Sequence, residues 1–115
     1  MAYNILITKN SSPDELFLDH YLGSAQTIQF YWESVGERLG LPILSSLTEI
    51  ADSEEGFVLV SDKLVQFRDE LLILEGYWLK ESVNSDLPEN FLRYLRVIIA
   101  ATENAISEGL MLMIG

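Results

Sequence analysis

The chain has 115 residues, 49% of them hydrophobic, with 7 Lys and Arg against 18 Asp and Glu, a net charge of −11 and no cysteine. That length and apolar content suit one domain with its own core, and the lack of cysteine excludes disulfides, zinc fingers, iron–sulfur clusters and thiol catalysis. So acidic a surface is repelled by phosphate backbones, which argues against nucleic acid and anionic membranes and favours encounter with a basic protein.

The first residues, MAYNILITKN, lack a basic region followed by a long apolar run, and no apolar stretch reaches the ~18 residues of a membrane span. The expectation is a cytoplasmic protein. Over residues 2–8, Tyr3, Ile5 and Ile7 alternate with Asn4, Leu6 and Thr8, the pattern of a strand, and a Lys-Asn-Ser-Ser turn bounds it. Leu6 suggests that the second face is partly covered. Ser12-Pro13-Asp14-Glu15 then reads as a helix start, with a capping serine, proline at the first position and a carboxylate three residues after the cap. That helix is expected to turn Leu16, Phe17 and Tyr21 inward and to stop at Gly23.

Residues 24–40 carry two patterns. Ala25, Ile28, Trp32, Val35 and Leu39 share a helical face, while Thr27–Trp32 also alternates as a strand would. Continuation of the first pattern to Gly40, just before Pro42, favours the helix. Phe30 and Tyr31 then cannot both point inward with Ile28, so at least one is exposed or covered by a partner. Residues 43–50 form a short helix with Leu44 and Leu47 inward. Ala51–Gly56 is an acidic loop carrying Asp52, Glu54 and Glu55, and Phe57–Val60 is a short strand.

The stretch Ser61–Glu81 organises the rest. Leu64, Phe67, Leu71, Leu74 and Trp78 fall at steps of three and four and line one helical face. Val65, Leu72 and Leu79 widen the arc, and Lys63, Gln66, Asp69, Glu70 and Lys80 lie opposite. Arg68 and Glu75 project into the apolar arc. They are candidate buried polar residues, either snorkelling to the rim, pairing in the interior, or making a polar contact in a groove. Ile73 and Tyr77 lie towards the polar side, covered by another segment or a partner, or left as an exposed patch. Ser82–Leu87 is a polar turn. Asp86-Leu87-Pro88-Glu89 caps a second long helix to about Ser107, whose inner face holds Phe91, Leu95, Ile98, Ile99, Thr102, Ala105 and Ile106. Gly109 ends it, and residues 110–114 form a last strand.

These elements predict an α+β two-layer sandwich: a small sheet of about three strands (2–8, 57–60, 110–114), two long antiparallel helices (61–81, 88–107) and shorter N-terminal helices. No catalytic motif is found. His20, the single histidine, sits beside a predicted helix end, where a capping role competes with that of a general base or ligand-binding group. The Asp52, Glu54 and Glu55 cluster lacks the calcium-loop pattern. No cofactor and no metal site is expected.

From residue 57 to 115, a helix ending in Glu75-Gly76-Tyr77-Trp78-Leu79, then Leu87-Pro88, Phe91-Leu92-Arg93-Tyr94-Leu95, an alanine-rich helix and a final apolar strand resemble small acidic bacterial proteins of the toxin-immunity or uncharacterised cytosolic kind. The resemblance implies a non-enzymatic binder that occludes a basic toxin. The expected function is accordingly a protein-interaction module with a basic partner, with Phe30, Tyr31, Ile73, Tyr77, Asp52, Glu54 and Glu55 as candidate contacts. The alternatives are a homodimeric structural or accessory domain and a small ligand-binding protein or enzyme using His20.

Overall fold

In strand β1 (Ala2–Lys9) the alternation holds as far as Ile7: Tyr3, Ile5 and Ile7 are buried and Asn4 and Leu6 half-exposed, while Thr8 on the second face is buried too. The computed structural model describes residues 2–9, 12–82 and 89–115, and the side chains of residues 3–9, 19–81 and 91–115. The predicted turn at residues 10 and 11 and the cap spanning residues 86–88 lie outside them.

The helix expected from Ser12 to Gly23 is instead a second strand, β2 (Ser12–Ser24), antiparallel to β1. Sidedness shows why. His20 and Leu22 turn inward while Asp19 and Tyr21 are exposed, an alternation of two and not of 3.6. Tyr21 is therefore outside, against the expectation that it packs within. A Ser-Pro-Asp-Glu cap is worth only about 1 kcal/mol, and pairing with β1 at Ser12, at Leu16 and from Leu18 to Tyr21 outweighs it. Pro13 has no partner in the register with β1, and β2 is outermost in the sheet, where proline is tolerated.

Ser24 ends β2 and caps the next element, its Oγ accepting from Thr27 N–H at 3.2 Å. The chain then stays helical through α1 (Ala25–Ile28), a π turn (Gln29–Glu33) and α2 (Ser34–Leu39). This resolves the two competing patterns in favour of the helix. Ser34 N–H reaches back five residues to the Gln29 carbonyl, so one extra residue is accommodated. Ile28, Trp32 and Val35 are buried while Phe30 swings out. Gly40, at φ 71°, closes α2 in the left-handed region, as its position predicts.

Two short helices follow, α3 (Pro42–Ser45) and α4 (Leu47–Ala51), with Leu44 and Leu47 fully buried. Strand β3 (Phe57–Leu59) feeds α5 (Asp62–Ser82), and α6 (Glu89–Glu108) leads through Gly109 (φ 66°) into β4 (Leu110–Ile114). The sheet has four antiparallel strands in the order β2-β1-β4-β3, one more than expected because of β2. Its buried side carries Tyr3, Ile5, Ile7, Leu22, Phe57, Leu59, Leu110, Leu112 and Ile114. Against these pack Leu64, Phe67, Leu71, Leu74 and Trp78 of α5 and Leu95, Ile98, Ile99 and Ala105 of α6. The long helices run antiparallel: Trp78 meets Phe91 near one end, and Leu64 and Val65 border the same cavity as Ala105 and Ile106 near the other.

Two contacts set the helical arm 25–51, one to the core and one within the arm. Leu41, at the N-cap of α3, has no polar side chain, so the first free N–H groups of α3 need a remote acceptor. Glu70 supplies it. Only 4% exposed, its carboxylate accepts from Ile43 N–H and Leu44 N–H at 3.0 Å and from Gln66 Nε2 at 3.2 Å. Its assignment to the polar face of α5 is thus overturned, because α3 covers that flank. The second contact is Gly36, where a Cβ would fall 2.8 Å from Ser45 N and 3.0 Å from Leu44 Cβ. Only glycine lets α2 and α3 approach so closely.

Glu70→Ala leaves two buried donors unpaired and is expected to cost about 2–3 kcal/mol in urea unfolding, with Glu70→Gln costing less. Gly36→Ala, which in an open helix adds about 1 kcal/mol, is expected to lower stability by about 1–3 kcal/mol through the clash. An unchanged denaturation midpoint in either alanine variant contradicts the assigned contact.

Candidate functional site

Aromatic residues converge where the end of β2, the π turn, the last turns of α5 and the start of α6 meet. Trp78, an indole that can only donate, gives its Nε1–H to the Tyr31 carbonyl at 2.9 Å. That carbonyl sits in the π turn, where irregular backbone bonding leaves it able to accept a side chain. Tyr31 stacks on Phe91 with centroids 4.6 Å apart and planes at 19°. Phe30 and Tyr77 each meet Trp78 at its rim, with centroids at 6.1 and 5.1 Å. Phe30 is nonetheless 58% exposed. Arg38 of α2 donates to the Tyr77 hydroxyl at 3.1 Å, which ties the cluster to the helical arm.

An open cavity of about 270 Å³ lies beside this cluster, walled by Tyr21, Tyr31, Phe91 and Tyr94. Ser24 and Thr27 contribute hydroxyls, which share a 3.0 Å hydrogen bond. Behind the wall His20 stacks on Tyr94 with centroids 4.6 Å apart. His20 Nε2 and the Tyr94 hydroxyl are both buried without a hydrogen-bond partner. Burial holds the Tyr94 phenol above its ordinary range, and the neighbouring Tyr21 adds to the effect.

The other predicted contacts separate. Ile73 is 49% exposed, one turn before Tyr77 on α5. Asp52, Glu54 and Glu55 are exposed in the loop between α4 and β3. Asp52 is engaged with the sheet, its two carboxylate oxygens each 2.9 Å from the Tyr3 hydroxyl. Among the described residues no three His, Asp or Glu side chains are placed to hold a metal ion. Arg68 and Glu75 are half-buried and do not meet each other. Arg68 pairs with Asp69 at 3.1 Å, and Glu75 with Arg96 of α6 at 3.2 Å. No described helix is long and apolar enough to cross a membrane.

The side of the sheet turned away from the helices forms a second surface. Register places Val58 opposite Met113 and Met113 opposite Leu6, a continuous row across β3, β4 and β1, with Met111 two residues along β4. Val58 is 46% exposed, and the other three are half-buried. The Val58–Met113–Leu6 row was not singled out from sequence; its signal lay in the large apolar residues on both phases of β1 and β4.

Burial raises the Tyr3 phenol above its ordinary 10.0, helped by the Asp52 hydrogen bond and the negative fields of Asp52 and Glu33. A raised pKa means that the folded state holds this proton more tightly. The linked stability is complete below about pH 10 and is lost as pH climbs through the folded value. Tyr3→Phe is expected to cost about 1 kcal/mol at neutral pH and to weaken the alkaline fall in unfolding midpoint. An identical alkaline profile contradicts the assignment.

Searches against protein-family models, curated proteins and solved structures return no match for this chain.

Proposed function

We propose that the protein is a non-enzymatic protein-interaction module, immunity-like in character, whose acidic surface receives a basic protein partner. The apolar row Val58–Met113–Leu6 on the side of the sheet opposite the helices carries this reading. A contiguous apolar surface framed by polar residues marks an association site, and the charge of −11 gives long-range attraction to a cationic partner. Phe30 and Ile73, both about half exposed, extend the apolar contact onto the helical side.

A second reading is self-association. Strand β3 is the last in the sheet order, so one of its edges has no described strand beside it and can pair with a copy of itself. The net charge opposes that arrangement at low salt.

The module reading is tested by affinity capture from a lysate of the native host. A basic protein is expected to bind at roughly 50 mM salt and to be released at roughly 300 mM, because the shorter screening length removes the charge attraction. Met113→Glu is expected to abolish the capture. Recovery of no protein, or of one indifferent to both salt and Met113→Glu, overturns the reading. Sedimentation that shows a dimer of the wild-type chain supports self-association instead.

A further inference from the structure

We propose that the aromatic cavity between β2 and α6 is a receptor for an arginine side chain of the basic partner. This inference rests on the module reading above and names the group recognised. Four rings from three separate segments wall the cavity: Tyr21, Tyr31, Phe91 and Tyr94. Ring faces carry partial negative charge and attract a cation lying over them. Among the described residues no charged side chain lines the cavity, so none of them repels a cation there by direct contact. The surrounding body supplies the complementary charge at longer range, at −11.

Arginine fits this chemistry better than lysine. A guanidinium is flat and weakly hydrated and stacks on aromatic faces, whereas an ammonium is compact and strongly hydrated. The wall is mainly apolar, which suits the weakly hydrated guanidinium better than the strongly hydrated ammonium. A volume of about 270 Å³ accommodates one long side chain, with its methylenes along Phe91. Tyr21 is the ring that the partner meets first, being 53% exposed at the open side of β2.

Nuclear magnetic resonance titration with three capped tripeptides tests the inference on the intact chain. The peptides carry a central arginine, lysine or citrulline, the last having arginine's shape without its charge. The arginine peptide is expected to shift the Ser24 and Thr27 amides and the Tyr21 and Tyr31 rings. Citrulline is expected to bind about fivefold or more weakly, and lysine to fall between the two. Tyr21→Ala, at an exposed ring, is expected to reduce arginine binding to the citrulline level while the remaining amide spectrum is preserved.

Equal binding of arginine and citrulline, a preference for lysine, or shifts confined to the acidic loop 51–56 each overturn the inference. Its failure is separable from failure of the module reading. A partner captured through the sheet row whose binding survives Tyr21→Ala removes the arginine site and leaves the module standing. Arginine binding at the cavity with no captured partner does the reverse.

Discussion

The molecule depends on one helix serving two neighbours at once. The stripe Leu64, Phe67, Leu71, Leu74 and Trp78 of α5 is withdrawn from water against the sheet and α6. At roughly 1.5–3 kcal/mol for each large apolar side chain, that burial is the dominant favourable contribution of α5. That stripe faces the sheet and α6, so it does not by itself set the direction of the flanking arm. Glu70 provides the direction: one carboxylate accepting two backbone donors from α3 fixes where α3 begins. The close passage at Gly36 then fixes α2 against α3. The π turn and its aromatic residues inherit their position from this chain of contacts.

Long-range and short-range forces are divided over the surface. The acidic charge acts over distances up to the screening length, about 8 Å at physiological salt, and has no fine geometry. Apolar contact acts only on touching and is geometrically exacting. Here apolar surface lies at the aromatic cavity and on the sheet face opposite the helices, while Asp52, Glu54 and Glu55 lie in the loop between α4 and β3. In the proposed module the charge gathers the partner and the apolar surfaces orient it.

Periodicity made α5, α6, β1, β3 and β4 legible, because each has one buried side and its apolar residues recur at the matching step. Gly40 and Gly109 were legible as stops because a positive φ favours glycine. The reading failed where a distant partner decided the outcome. Ser12-Pro13-Asp14-Glu15 carries a sound local helix signal, and pairing of its flanks Ser12 and Leu16 with β1 draws the stretch into a strand. Glu70 looked like a surface acid because its partners are backbone groups nearly thirty residues away. Leu72 and Leu79 were assigned to a second apolar row, yet both are at least 40% exposed. The core needs a narrower stripe from α5 than the sequence offers. Tyr21 was misplaced along with the helix that was expected to hold it, and the wall of the cavity was missed with it.

The sheet order has a kinetic consequence. Its two inner strands, β1 and β4, lie farthest apart along the chain: Lys9 is opposite Leu110, and Asn4 exchanges backbone hydrogen bonds with Gly115. The β1–β2 hairpin needs almost no loop closure, whereas the inner seam closes around roughly a hundred residues, at an entropic cost that grows with the logarithm of that length. Formation of that seam should therefore come late and set the pace of folding. Until it forms, β1 presents one bare edge, and a nascent chain at this stage is open to mispairing with its neighbours.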